Sequence, residues 1–468
     1  MTDRPLTVAP YAAADHPAIV DNGREVSYAE LRGLVATVAR RLGDSAGVVG
    51  VSATHSLETI VGLYGVWAAG GTYCPVDPAF PAARREAMLA GCQWWLTPDG
   101  LTPLGPGSAL GDIAYILFTS GSTGDPKPVL TPRRAIGTTV ASLCRLFELT
   151  PADRVLQFAS LNWDTCFEEI LPTLATGATL VLDRDAHSGS LRRFLRLVER
   201  ERVSVLDLPT AFWHELVTHL HSDGVGLPGC VRLVVIGGEA ANPARLRDWS
   251  ALDTGHARLL NTYGCTETTL ITHAIDLPCA DGTVPLGFAL PHVVERIGDD
   301  SELLIGGPSV AAGYREASIG SAEGDRRSDR FVELDGERFF RTGDRVRRRA
   351  DGALLPAGRV DAEVKIRGIR VDPSEVEAYI GGHPGVRAVA VCGVRVADHT
   401  SLVAFVVARP PTVASGLPAS VVDHLRRRVP GHLIPSRIAV VADLVYTASG
   451  KVDRRATADR YQPKETVT

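Results

Sequence analysis

The stretch IAYILFTSGSTGDPK, residues 113–127, decides the fold class. IAYILFT is apolar without a polar alternation, which predicts a strand covered on both faces. It runs straight into TSGSTGDPK (119–127), where small hydroxylated residues and glycines let backbone N–H groups approach a polyphosphate and Lys127 can offset its charge. This is not a Walker A loop: Lys127 neither follows a glycine nor precedes Ser or Thr. On its own the segment also reads as an ordinary surface turn.

Outward from that strand, further apolar runs fall at 47–53, 155–160, 178–182, 203–208 and 231–238. Amphipathic stretches at 58–70, 194–201 and 212–220 lie between them. Strands alternating with helices predict α/β with largely parallel sheets. Near 340–360 the pattern changes to a smaller α+β unit, with EVKIRGIRV as one strand, a helix opened by Asp372-Pro373-Ser374, strands at VRAVAVCGV and LVAFVVA, and a helix near 420–428. The expected division is 1–358 and 359–468, with a hinge near Asp361.

Of the 468 residues 45% are hydrophobic and 22% charged, as in a globular chain rather than a disordered one. The net charge of −5 argues against bulk affinity for nucleic acid or anionic membrane. Eight scattered cysteines without a CxxC pair fit a reducing cytoplasm and offer no zinc site. No apolar run approaches the roughly 20 residues that span a bilayer.

Three more segments carry chemistry. NTYGCTE (261–267) offers an aromatic face, a hydroxyl and a carboxylate on one short turn: Tyr263 to stack on a purine, Thr266 for a phosphate oxygen, Glu267 for Mg²⁺. FRTGDRV (340–346) places Asp344 on a glycine turn, where it can accept from ribose hydroxyls. SGKVDRR (449–455) puts Lys451 on a glycine turn. Each alone is ordinary.

In this order, together with VSYAEL, VWAAGGTYCPVDP, WDTCFEEI, ELLIGGPSVAAGY, GRVDAEVKIRGIRVDPSEVE and VPGHLIPSR, they resemble the adenylate-forming superfamily: acyl-CoA synthetases, luciferases and the adenylation domains of non-ribosomal peptide synthetases. WD at 163–164 and the full GRVDAEVKIRG block favour the amino-acid-activating branch. The resemblance implies an acetyl-CoA-synthetase-like α/β fold with a large N-terminal domain of layered sheets and helices and a small mobile α+β C-terminal domain. It implies that Thr119, Ser120, Gly121, Ser122, Thr123, Gly124 and Lys127 grip ATP, and that Gly238, Glu239, Ala240, Asn261, Thr262, Tyr263 and Gly264 hold the adenine side. Thr266 would meet the α-phosphate, Glu267 would hold Mg²⁺, and Asp344 and Arg359 would bind the ribose. Lys451 would bridge substrate carboxylate and phosphate, and rotation about Asp361 would then present Lys365 for thioester formation. Three positions depart from the pattern: Pro128 replaces a glycine after Lys127, Pro356 stands where an aromatic ring is usual, and Cys265 replaces a proline and is expected to be a small apolar filler.

The same resemblance implies an acyl pocket of Asp164, Thr165, Glu168, Asp207, Val235, Gly237, Thr262, Leu270 and Ile271, closed by Lys451. Asp164 would hold the substrate ammonium. Glu168 and Asp207 add two carboxylates that are costly to desolvate unless a cation meets them, so a basic or diamino acid is expected, with the set closest to those for β-lysine. Asp207 capping a helix, or Glu168 facing solvent, is the plainer reading. The acceptor is expected to be the phosphopantetheine thiol of a separate carrier protein, since the residues after Lys451 are too few for a further domain. An amide-forming or CoA ligase is the enzymatic alternative, and a nucleotide-binding protein without turnover the alternative of another class.

Overall fold

The computed structural model describes residues 6–44, 46–106, 109–119, 127–279, 283–315, 330–361, 363–396, 399–410, 414–446 and 452–461. They fall into two compact units. The first comprises Met1–Pro78, Leu89–Phe118 and Pro128–Val360; the second comprises Ala79–Met88, Thr119–Lys127 and Asp361–Thr468.

The first unit is built on three sheets. A nine-stranded sheet runs in the order Phe288–Ala289, Ile271–Leu277, Arg258–Gly264, Leu233–Gly237, Val205–Pro209, Arg154–Leu156, Thr179–Leu182, Pro17–Asp21, Arg24–Ser27. From Arg258–Gly264 through Pro17–Asp21 its neighbours are parallel, and its outer strands are antiparallel. A seven-stranded sheet contains Ile113–Thr119, matching the sequence expectation residue for residue, beside Thr72–Val76, Val48–Ser52 and Trp94–Thr97. The third sheet, built around the long strand Glu337–Arg348, is antiparallel. The expected strand at 155–160 shrinks to Arg154–Leu156, because the polar groups that follow are taken by a buried side chain described below.

Helix Thr165–Thr176 matters most for the site. Glu168 lies in its first turn, where the helix dipole favours negative charge, and it ends at Gly177, whose left-handed φ of 84° lets the backbone N–H reach Thr173 O. One side of this helix packs on the seven-stranded sheet: the Phe167 and Tyr115 ring centroids are 4.7 Å apart. Glu168 and Glu169 are buried at the same level.

In the second unit, EVKIRGIRV is not one strand. It folds as the hairpin Val364–Ile366/Ile369–Val371, because Arg367 (φ 51°) and Gly368 (φ 80°) both turn left-handed. Helix Pro373–Gly381 is capped as its sequence predicts, the Ser374 N–H donating to Asp372 Oδ1 at 2.9 Å. A three-stranded sheet of Val386–Val396, His399–Ala408 and Arg437–Val440 packs with helix Leu417–Arg426 around Val371, Val376, Ile380, Val391, Val406 and Val421. Among the described residues no helix is long and apolar enough to cross a membrane.

Candidate active site

Three carboxylates predicted for the acyl pocket come together inside the first unit. Asp164 occupies the N-cap position of helix Thr165–Thr176 but makes no side-chain capping bond. Burial raises its pKa to about 6, and the Thr266 hydroxyl bonds it in the opposing sense. Four residues on, Glu168 is pushed well above the usual carboxylate range, first by burial and then by the charges of Asp207 and Asp164. Asp207, in the middle of strand Val205–Pro209, is hydrogen-bonded to Glu168 and raised by burial to about 7. Its Oδ2 is buried without a hydrogen-bond partner. Asp207 therefore does not cap the following helix, which starts at Thr210, and Glu168 does not face solvent. None of the three forms an ion pair with a Lys, Arg or His among the described residues.

The rest of the predicted pocket is positioned by strand register. Asp207 pairs with Val235, and Val235 with Leu260, across parallel neighbours. Gly237 ends its strand where a Cβ would stand 2.6 Å from Thr262 Oγ1, so only glycine lets these two strands close there. Thr262 Oγ1 donates to Ile236 O at 3.0 Å. Leu270 and Ile271 are buried, and Thr269 (φ 60°) and Leu270 (φ 67°) both hold left-handed backbone, a strained pair at the pocket wall.

Around the residues expected on the nucleotide side, the backbone differs from the sequence reading. NTYG is strand, not turn: Asn261–Gly264 completes Arg258–Gly264, and only Thr266–Thr268 forms a 3₁₀ turn. RTGD is likewise no turn after a strand; it lies within the continuous strand Glu337–Arg348, kinked by a bulge between Asp344 and Val346, with Gly343 at φ 77°. That kink turns Asp344 toward Tyr263, whose hydroxyl donates to Asp344 Oδ2 at 2.6 Å, while Arg359 Nη1 donates to Oδ1 at 2.5 Å. Asn261 Nδ2 donates to Pro285 O at 2.7 Å, leaving Oδ1 buried without a partner. After Gly237, Gly238 (φ 86°) turns the chain through Glu239 and Ala240, and Thr210 Oγ1 holds the turn by donating to the carbonyls of Gly237 and Glu239 at 2.9 and 3.2 Å. Glu267 is buried, and Tyr314 donates its hydroxyl to Oε1 at 2.8 Å. Cys265 is not an apolar filler: its Sγ lies 3.2 Å from Thr268 Oγ1.

Three contributors escaped the sequence reading. Tyr314 lies 47 residues from Glu267, with no motif tying the two together. Glu169, fully buried next to Glu168, accepts from the N–H groups of Phe158 and Ala159, both at 2.9 Å, and from Gln157 Nε2 at 3.0 Å. Only the EE pair in WDTCFEEI signalled it. Gln157 is the third; its Oε1 lies 2.6 Å from His55 Nδ1.

Thr119 ends its strand buried, and Lys127 begins the next. Ser120, Gly121, Ser122, Thr123, Gly124 and Lys451 lie outside the described residues. In the second unit Lys365 sits on strand Val364–Ile366, half-buried. The boundary between the units falls between Val360 and Asp361, and Asp361 Oδ1 accepts from the Glu363 N–H at 3.3 Å.

The chain matches the AMP-binding enzyme family over residues 7–97 and 98–315, and the AMP-binding enzyme C-terminal domain over 375–451. It is 39% identical to an isonitrile lipopeptide synthase of Streptomyces coeruleorubidus, covering 94% of this chain and 32% of that protein. It is 34% identical to the phenyloxazoline synthase MbtB of Mycolicibacterium paratuberculosis, covering 95% and 41%. The chain thus spans about a third to two-fifths of the length of these relatives. Among solved structures, the amide bond synthetase McbA of Marinactinospora thermotolerans superposes with TM-score 0.81 at 24% identity over 98% of this chain and 99% of that one. A malonyl-CoA ligase gives 0.79 at 26% over 94% and 99%. A matched family over most of the length, a mixed α/β fold shared with acyl-activating ligases, and peptide-synthetase relatives identify one lineage: the chain belongs to the AMP-binding enzyme family, as an adenylation domain of the non-ribosomal peptide synthetase type.

Proposed function

We propose that this protein adenylates a basic or diamino acid with ATP, releasing pyrophosphate, and passes the aminoacyl group to the phosphopantetheine thiol of a separate carrier protein. The observation that carries the substrate class is the trio Asp164, Glu168 and Asp207, Glu168 buried and the two aspartates half-buried, with no cation of the chain paired to it among the described residues and with Asp207 Oδ2 unpartnered. Carboxylates this close repel and are partly desolvated together; two cationic groups on one substrate relieve both costs. Asp164 receives the ammonium next to the reacting carboxylate, and Glu168 with Asp207 receives the distal one.

Tyr263 offers its ring to the adenine and Asn261 Oδ1, an acceptor in need of a donor, suits an exocyclic amine. Asp344, pinned on both oxygens' sides by Tyr263 and Arg359, suits the ribose hydroxyls. Glu267 fits Mg²⁺: it is a hard oxygen donor oriented by Tyr314. When bound, the ion supplies charge neutralisation to the phosphates. The substrate carboxylate is itself the nucleophile, so no general base is required. Lys451 stabilises the negative charge that develops as pyrophosphate departs, and Lys365 serves the thioester-forming arrangement.

ATP–pyrophosphate exchange across a panel of amino acids tests this reading, followed by acceptor assays with carrier protein and with CoA. Exchange that prefers leucine or phenylalanine over lysine, β-lysine and ornithine overturns the basic substrate while leaving adenylation standing. A second reading, amide formation or CoA ligation from the same adenylate, is favoured by the likeness to McbA and to the malonyl-CoA ligase, and the acceptor assays separate it.

A further inference from the structure

Strand register sets one buried histidine against the Tyr263 ring, and nothing in the chemistry proposed above uses it. Strands Arg258–Gly264 and Ile271–Leu277 are antiparallel with Tyr263 opposite His273, so the two side chains share a face of the sheet. Their ring centroids lie 5.8 Å apart with planes at 69°, an edge-to-face arrangement. Tyr263 packs there on Leu303, Ile305, Val346 and Leu354 of the third sheet. From the strand Val294–Ile297 of that sheet, Glu295 brings Oε2 to 2.7 Å from His273 Nε2. Arg348 Nη1 sits 2.6 Å from Oε1 of the same carboxylate. The His273 side chain is fully buried, so both ring nitrogens must find partners inside the protein. Those partners fix where the protons are. The Thr272 hydroxyl lies 3.1 Å from Tyr263 O and 2.9 Å from His273 Nδ1. A carbonyl only accepts, so the single hydroxyl proton goes to Tyr263 O, and Nδ1 must donate to Thr272 Oγ1. On the other side Glu295 is an acceptor ion-paired to Arg348, and the His273 hydrogen bond, followed by that of Arg348, holds its carboxyl below the usual range. Nε2 therefore donates as well. Two donating nitrogens make an imidazolium.

We propose that His273 is a positioning residue for the nucleotide: an imidazolium held by Glu295, it fixes the Tyr263 ring in the orientation that receives adenine. The protonation of His273 stands on the contacts alone, whereas its service to adenine rests on the function proposed above. A cation at this range is drawn to an aromatic ring. The flank of Tyr263 is thus held by charge, while its hydroxyl is held by Asp344 at 2.6 Å. The Thr272 hydroxyl, tied to both Tyr263 O and His273, couples the backbone of the one residue to the ring of the other. Turning the Tyr263 ring means giving up one hold or the other.

The protonation is read by nuclear magnetic resonance on the full chain labelled with ¹⁵N-histidine at about pH 8, where an ordinary histidine is neutral. The signal that His273→Gln deletes is expected to carry a proton on each ring nitrogen, and a single ring proton overturns the proposal. Glu295→Gln keeps the shape and removes the charge, so it is expected to cost that ring one proton. A ring still doubly protonated in Glu295→Gln overturns the hold by Glu295. Positioning is read as the Kd for MgATP by calorimetry, which needs no turnover. An edge-to-face ring pair corresponds to a change of about 2- to 12-fold. His273→Gln and Glu295→Gln are each expected to weaken MgATP by that factor, with the KM for the amino acid in pyrophosphate exchange unmoved. In a Tyr263→Leu background neither substitution should weaken MgATP further, and additive losses overturn the route through the ring. A variant that melts earlier yet binds MgATP as the unaltered protein does has lost packing only, which overturns the positioning role. If His273→Gln does not fold, Glu295→Gln carries the measurement. MgATP binding without exchange for any acid counts against adenylation itself and leaves the result for His273 standing.

Discussion

Tyr263 and Asp344, 81 residues apart, are joined by a 2.6 Å hydrogen bond that ties the end of a strand in the nine-stranded sheet to the kinked strand of the antiparallel one. Under the proposed function, the bond fixes in one move the ring offered to adenine and the carboxylate offered to ribose. Tyr263→Phe keeps the ring and loses the tether. A single such bond contributes about 0.5–1.5 kcal/mol, so the KM for ATP is expected to rise roughly 3–10-fold with little change in the amino acid KM. Unchanged ATP KM in the exchange assay would refute a nucleotide-positioning role for the pair.

Lys451→Ala is expected to abolish exchange while leaving nucleotide binding largely intact. Loss of a charge that stabilises a developing oxyanion costs about 10²–10³-fold in rate. Exchange near the wild-type rate, with ATP binding followed by calorimetry, would remove Lys451 from the reaction.

Lys365→Ala separates the two half-reactions. Exchange should persist, and aminoacyl transfer to the acceptor should slow, because Lys365 belongs to the hairpin of the second unit and not to the acid cluster. Equal losses in both assays would count against a domain that changes its working face.

Specificity divides between the start of helix Thr165–Thr176 and strand Val205–Pro209. Asp164→Ala should damage every amino acid substrate. Asp207→Asn should selectively raise the KM of diamino acids, since removing one partner of a buried ion pair costs roughly 3–5 kcal/mol. A uniform effect of Asp207→Asn on leucine and lysine alike would show that it does not meet the distal cation.

The sign of the pH dependence follows from burial. Asp164, raised to about 6, is neutral below that pH, so the KM of any amino acid should climb as pH falls through 6. Asp207, raised to about 7 and bonded to Glu168, adds a second rise for diamino acids between pH 8 and 6, which Asp207→Asn should remove. For stability the same raised pKa works the other way: without substrate the folded state is favoured while Asp207 is protonated and loses that advantage as pH rises through about 7. Thermal melts at pH 5 and 8, with Asp207→Asn as the variant whose pH difference shrinks, check the sign.

Much of the fold could be read from the chain, for definite reasons. Ile113–Thr119 is buried on both faces, so its apolar run has no competing periodicity. The run at 155–160 misled because Phe158 and Ala159 are apolar in side chain yet give their N–H groups to Glu169, ending the ladder after Leu156. The hairpin at 364–371 was hidden because Arg367 takes a left-handed φ that residue identity alone does not announce. In the site, the family resemblance placed Asp164, Glu168 and Asp207 together, while Tyr314 could not be found, since only tertiary folding brings it to Glu267.

Glu169 also constrains how such a pocket can change over time. With three donors from residues 157–159 on its carboxylate, the helix that starts at Thr165 is pinned in rotation against the preceding segment. Successive residues on an α-helix are about 100° apart, so inserting or deleting one residue between 160 and 164 would either tear out that pin or swing Asp164 and Glu168 away from their shared space. Point substitution at 168 or 207 leaves the pin untouched. New substrate preferences in this chain are therefore expected from exchanging side chains on a fixed frame, and a loop graft that alters the spacing between Gln157 and Glu169 is expected to yield an inactive protein rather than one of new preference.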